Sequence, residues 1–252
     1  MKYRSIILTV ATAVSLNAGA QSTQKFSPSN TVIAWDFHDV FAYKPVFKMA
    51  GQFTSLIWHA PNSWELIRFL FSPTFVREVY LQKKALDTGE RILEKMMVDH
   101  PQTLGQHRNE IFSIINLHEL DQRMVDLLAK LKSLGYKNVL ASNIGPESLK
   151  LMQREHPEFF ALFDGLYFDG TKNSLGKLYS CHLKPSLDYF KGLKQYLIDI
   201  GINFPHIIFI DDRRANLDGA RMADVGIEPF HFVSYRQLMN ELTKKGILGS
   251  TV

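Results

Sequence analysis

One cysteine, Cys181, is all that the 252 residues hold, so the chain cannot close an internal disulfide and relies on packing for its stability. Beyond its first twenty residues it lacks any apolar run long enough to cross a bilayer, so no stable membrane insertion is expected once those residues are removed. It has little excess charge. The formal net charge is +4, and it falls to +2 without residues 1–20, which carry Lys2 and Arg4 and no acid. No basic run is interleaved with aromatics, and nucleic acid is therefore not an expected partner. His100, His107 and His118 have no tight ligand spacing, which argues against a zinc site. No internal repeat or low-complexity segment is visible.

What is present suits one globular domain, or a domain with an insertion: 46% of residues are hydrophobic and 21% charged, in a chain long enough to bury a sizeable core. Residues 1–20 have the layout of a secretory signal peptide. Lys2 and Arg4 give a basic start, Ile6 to Val14 is apolar, and Ala18-Gly19-Ala20 offers a small-residue cleavage site. The alternative, an uncleaved anchor, is disfavoured by the shortness of that run. The expected location is thus outside the cytoplasm, periplasmic or secreted. Residues 21–30 are polar and turn-rich and read as a linker.

Two apolar runs then end in acids. Thr31-Val32-Ile33-Ala34-Trp35 leads into Asp36-Phe37-His38-Asp39-Val40, and Ile207-Ile208-Phe209-Ile210 leads into Asp211-Asp212, with Asn216 four residues after the second acid. Runs of this kind read as buried parallel strands. The carboxyl ends of such strands are where open α/β sheets bind ligands, and adjacent acids there suit a hard cation such as Mg²⁺. Between the two runs, residues 42–118 have helical periodicity, clearest in Ser63 to Leu70 and Arg91 to Met97, and read as an inserted helical subdomain.

From Leu120 onward helix and strand alternate. Asp121 is placed to cap a helix that Gly135 ends, and Asn138 to Ala141 forms a strand running into Ser142-Asn143. A helix follows Pro146, Gly165 to Phe168 is a strand, Lys184-Pro185 opens another helix, and Pro229 to Val233 is a fifth strand. The fold class is therefore α/β: a Rossmann-like, doubly wound parallel sheet formed by residues 31–41 and 119–252, with the helical insertion at 42–118.

Asp36-Phe37-His38-Asp39-Val40, Ser142-Asn143, Lys184-Pro185 and Asp211-Asp212 with Asn216 resemble, in this order, the four motifs of the haloacid dehalogenase-like (HAD) superfamily of phosphatases and related hydrolases. The resemblance runs from about Thr31 to Val233. Its most specific part is Asp-Asp-x-x-x-Asn-Leu-x-Gly-Ala, which marks the branch with a double-acid fourth motif, and Phe163-Asp164-Gly165 looks like that branch as well. Singly, each residue has a plainer reading. Asp36 could cap a turn, Ser142 could be a turn residue, Lys184 a solvated lysine, and Asp211 and Asp212 could cap a helix. Their joint order selects the site.

The resemblance implies that Asp36 is a nucleophile forming an aspartyl-phosphate. It implies Mg²⁺ held by the Asp36 side chain, the His38 backbone carbonyl and the Asp212 side chain, with Asp211 and Asn216 in support. Ser142, Asn143 and Lys184 would bind the phosphoryl group. Residues 42–118 would be a cap that selects a small phosphorylated metabolite, with Trp58, His59, Trp64, Arg68 and Arg77 as candidates to line it. Aromatics at helical spacing are more often packing, so both tryptophans are assigned to core.

One position departs from the family pattern. Its hydrolases usually carry a second Asp two residues after the nucleophile, and here His38 stands there. Imidazole can serve as acid and base; Asp39 is a second candidate. The expectation is an exported, Mg²⁺-dependent phosphatase with His38 as acid/base. Two alternatives stay open: a non-catalytic or repurposed binding protein, and a 2-haloacid dehalogenase.

Overall fold

Side chains on both faces of β1 (Thr31–Trp35) are fully buried, as a central parallel strand requires. The computed structural model describes residues 25–73, 77 and 89–249. The signal-peptide reading, on residues 1–20, lies outside them. The end of the expected linker does not hang free: Phe26 is buried in the core and Lys25 pairs with Glu228 at 2.9 Å.

After β1 come β2 (Ala42–Tyr43), α1 (Val46–His59), α2 (Ser63–Leu70), α3 (Gly89–Asp99), α4 (Arg108–Ile115) and β3 (Glu119–Leu120). There follow α5 (Gln122–Ser133), β4 (Lys137–Ala141), α6 (Pro146–Glu155), α7 (Pro157–Phe160), β5 (Gly165–Tyr167), α8 (Leu187–Asp199), β6 (His206–Asp211), α9 (Arg214–Met222), β7 (Ile227–His231) and α10 (Tyr235–Lys244). The main sheet has the order β5-β4-β1-β6-β7, all parallel. Alternate strand residues feed two cores. Ile33, Trp35, Leu140 and Ile210 pack with Met124, Met152 and Leu238 from α5, α6 and α10. Val32, Ala34, Val139 and Phe209 pack with Phe190 and Leu217 from α8 and α9. Helices thus cover both faces, and the doubly wound α/β expectation is met.

Asp121 caps α5 by accepting a bond from Arg123 N at 3.0 Å, and Gly135 beyond its end has φ of 90°. One boundary was misplaced. Lys184-Pro185 does not open a helix; its peptide bond is cis, and α8 begins at Leu187 behind Ser186, whose hydroxyl accepts from Asp188 N at 3.3 Å. A serine has the oxygen that the helix end needs, and proline has none.

Helices α1 to α4 share a small core of their own, including Leu66, Leu93, Met96, Leu104 and Ile111. The assignment of Trp58 and Trp64 to core is overturned: they are 84% and 73% exposed. Helix α1 buries none of its residues, because spacing marks a face and does not provide a partner for it. Strands β2 and β3 form an antiparallel ribbon where the helical segment leaves and rejoins the sheet. Elsewhere the segment meets the α/β core through charge. Arg91 pairs with Asp169 at 2.6 Å and Arg108 with Glu147 at 2.8 Å, while Glu90 accepts from Glu147 N at 3.2 Å and Ser148 N at 2.8 Å.

Candidate active site

The register of three central strands builds the site. Trp35 lies opposite both Leu140 and Ile210, so the next residues, Asp36, Ala141 and Asp211, emerge side by side at the carboxyl edge. Asp36 N still bonds Ile210 O at 2.9 Å, and Ser142 N bonds Tyr167 O at 3.0 Å, which carries the sheet's rigidity one residue beyond each strand. Ligand sites at this edge of a parallel sheet are the rule for such folds.

Asp36 is buried and accepts two bonds on one oxygen, Oδ1: from Ser142 Oγ at 2.7 Å and from Lys184 Nζ at 2.9 Å. Lys184 is no solvated lysine. It is 2% exposed, and its ammonium also donates to Ala141 O at 2.9 Å and Asp211 Oδ2 at 2.8 Å, so all three protons are placed. Burial works against its charge, but the carboxylates of Asp36 and Asp211 outweigh that and hold it above the ordinary lysine value.

Asp211 is fully buried and saturated. Arg213 N donates to its Oδ1 at 2.8 Å, and Asn216 Nδ2 reaches both of its oxygens at 2.9 Å. It supports its neighbours, its two oxygens bonded by Lys184, Arg213 and Asn216. Asp212 is only partly buried, and burial first, then Asp36 and Asp211, push its carboxyl up to about 6. Carboxylate oxygens of Asp36, Asp211 and Asp212 all lie within 4.8 Å of one another. Among the described residues one buried lysine stands against the three acids, and Asn216 Oδ1 is buried without a partner. A surplus of hard oxygen donors with an orphaned acceptor beside them fits a cation such as Mg²⁺.

Asn143 is at the site with its side-chain amide engaged. Its Oδ1 accepts from Lys184 N at 2.9 Å and its Nδ2 donates to Lys184 O at 3.0 Å. The side-chain amide clamps the lysine's backbone and is not free to hold a substrate. Phe163-Asp164-Gly165 is structural too: Asp164 accepts from Asn138 N at 2.9 Å at the far end of β4, and a Cβ on Gly165 would meet Tyr196 Oη at 2.8 Å.

His38 sits on the loop after Asp36, with its ring 5.0 Å from that of His118 and both rings edge-on to Phe37. Burial first, then Lys44 and Lys184, pull His38 down to about 4; burial and His38 bring His118 to about 4. Asp39 is exposed and left-handed, with φ of 58°, in the turn that bonds Asp39 N to Ala42 O at 2.8 Å. A cavity of about 70 Å³ next to His38 is lined by Lys44, Glu90, His118 and Asn143 as well. His118, Lys44 and Glu90 carried no sequence signal for the site, since the tertiary fold alone brings them there. A larger cleft of about 840 Å³, lined by Gln52, His59, Gln106 and Glu110, belongs to the helical segment and includes none of Asp36, Asp211 and Asp212.

No family model and no curated protein matches the chain in sequence. Solved structures do match. A HAD family enzyme from Bacteroides thetaiotaomicron superposes with a TM-score of 0.54 at 18% identity, covering 83% of this chain and 98% of that one. An aspartate-to-alanine mutant of that enzyme in complex with magnesium and inorganic phosphate matches with a TM-score of 0.52 at 17% identity, over 83% and 98% of the two chains. An L-2-haloacid dehalogenase from Xanthobacter autotrophicus follows at 0.48 and 14% identity, over 86% and 84%. The chain therefore has the fold of the haloacid dehalogenase superfamily.

Proposed function

We propose that the chain is an exported, Mg²⁺-dependent hydrolase of small phosphomonoesters. The observation that carries this reading is the Asp36 carboxylate, fixed through one oxygen by Ser142 and Lys184 and set within 4.8 Å of two further acids. A carboxylate held this way is oriented for attack, and positive charge beside it suits a phosphoryl group. The Asp36 and Asp212 side chains and the His38 carbonyl would hold the ion, with Asp211 and Asn216 behind them. Bound there, Mg²⁺ supplies charge that offsets repulsion between the acids and the phosphoryl oxygens. The structural neighbour bearing magnesium and inorganic phosphate supports the choice of ligand by analogy of fold.

In the proposed reaction Asp36 forms a bond to phosphorus as the ester P–O bond breaks, and the leaving oxygen takes a proton from solvent water. A second water then attacks phosphorus, giving a proton to neutral His38, which returns it to solvent, and the Asp36–phosphorus link breaks to release phosphate. The Lys184 ammonium adds positive charge beside the phosphoryl oxygens, and the Ser142 hydroxyl would turn from Asp36 to donate to one of them. Residues 42–118 act as the cap, and charged contacts at Glu90, Arg91 and Arg108 seat it on the core. Export rests on residues 1–20; no helix among the described residues is long and apolar enough to cross a membrane.

The test is phosphate release from an aryl phosphate by protein lacking residues 1–20, with Mg²⁺, with chelator, and with Asp36→Asn. Metal-dependent turnover that disappears in the variant supports the reading. Mg²⁺ binding with no turnover of any phosphomonoester favours the second reading, a binding protein, which the low pKa of His38 recommends.

A further inference from the structure

His118 has an unusual set of contacts for a buried histidine. It is 8% exposed, its Nδ1 hydrogen-bonds the carbonyl oxygen of Asn116 at 2.7 Å, and its Nε2 is buried with no partner among the described residues. A carbonyl can only accept, so Nδ1 carries the proton and Nε2 is left as a bare acceptor. An orphaned acceptor in such a place costs stability unless some donor reaches it. The ring beside it is His38, 5.0 Å away between centroids and tilted by 54°, and neither His38 nitrogen has a hydrogen bond among the described residues. Ring centroids 5.0 Å apart are close enough for one nitrogen of each ring to reach hydrogen-bond range when the two are turned toward each other. The β2–β3 ribbon makes the meeting possible: His38 bridges to Ala42, Ala42 pairs with Leu120, and His118 immediately precedes that strand. Phe37 packs edge-on to both rings and limits how they can turn.

We propose that His118 is the positioning residue of His38: its Nε2 accepts the ring N–H of His38, which fixes one tautomer and presents the other His38 nitrogen, as an acceptor, to the cleft. This rests on the reading of His38 as the acid/base. A histidine whose second nitrogen is held by a partner has a defined tautomer and ring orientation, and outer partners of this kind typically contribute 10- to 100-fold to a site's performance.

The test combines a spectroscopic readout with a rescue. In protein with ¹⁵N-labelled histidine, long-range proton–nitrogen spectra should show His38 as one tautomer in the wild type and in His118→Gln, whose side-chain oxygen can still accept. In His118→Phe, which keeps the bulk and loses the acceptor, His38 should show both tautomers. With an aryl phosphate, kcat should fall about 10- to 100-fold in His118→Phe with KM within twofold, and His118→Gln should recover most of it. A mixed His38 tautomer in the wild type, or a single one retained in His118→Phe, overturns the proposal. So does a fall in Gln as deep as in Phe. If the wild type turns over no phosphate ester, the hydrolase reading fails, and the tautomer comparison still decides whether His118 holds His38.

Discussion

Gly219, on α9, lies so close to the carbonyl oxygen of Pro185 that a Cβ at this position would collide with it. The missing side chain lets the loop carrying Lys184 press against the helix that follows Asp211 and Asp212. Two sequence motifs are joined by a contact that only glycine permits.

Gly219→Ala should therefore act through Lys184. The added methyl displaces the Pro185 backbone, an overpacking that costs about 1–3 kcal/mol, and draws the Lys184 ammonium from Asp36 and Asp211. Urea unfolding and aryl phosphate turnover should both decline; a stability loss with turnover intact would mean that the loop absorbs the shift without moving the lysine.

Lys184→Met removes a buried positive charge that bonds both Asp36 and Asp211. Taking one partner from a buried ion pair costs about 3–5 kcal/mol, because the remaining charges stay buried and unpaired. The loss should be largest in chelator and smaller with Mg²⁺, since the cation replaces part of the missing charge. Equal losses in both media would argue that no cation binds among these acids.

Acid should destabilise the protein through its two paired histidines. Both His38 and His118 lie at about 4, below the ordinary 6.5. Between those values the unfolded chain holds more protons than the folded one, so this contribution is present above pH 6.5 and is lost as pH falls toward 4. Replacing His38 by Gln removes one of these protons, and unfolding midpoints measured across that window should then depend less steeply on pH.

Asp212 works in the opposite sense. Raised to about 6 from 3.8, it holds a proton in the folded, metal-free protein that the unfolded chain has released, so its contribution to stability is lost as pH rises from 4 to 6. Mg²⁺ needs the carboxylate. Its apparent affinity, by calorimetry, should drop up to about tenfold for each pH unit below 6 as the proton competes. Asp212→Asn should weaken binding and flatten that dependence.

Much of this was legible in the sequence, for physical reasons that differ from residue to residue. Val32 to Trp35 and Ile207 to Ile210 announce strands buried on both faces, and the acids after them fall at the sheet edge because parallel strands in register end together. The ribbon of Ala42–Tyr43 with Glu119–Leu120 was not legible. Two residues give no periodicity, and their partner lies far along the chain. His118 was hidden with it. Asn143 was visible as a polar residue at a strand end, but nothing local says that its amide grips the backbone of Lys184. Trp58 and Trp64 were misread because hydrophobic spacing describes a helix face and says nothing of whether another element covers it.

Helix α6 begins with Gly145, which has no side chain to cap it, and Pro146, which has no amide proton. The next two amides, of Glu147 and Ser148, are taken by Glu90, whose carboxylate fills the space that a Cβ on Gly145 would occupy. The capping group for this helix is thus lent by a segment more than fifty residues upstream. The α/β core and the helical segment are not interchangeable modules: any replacement for residues 46–115 would have to bring its own anion to the same spot, or leave the turn after Ser142 and Asn143 with a frayed start.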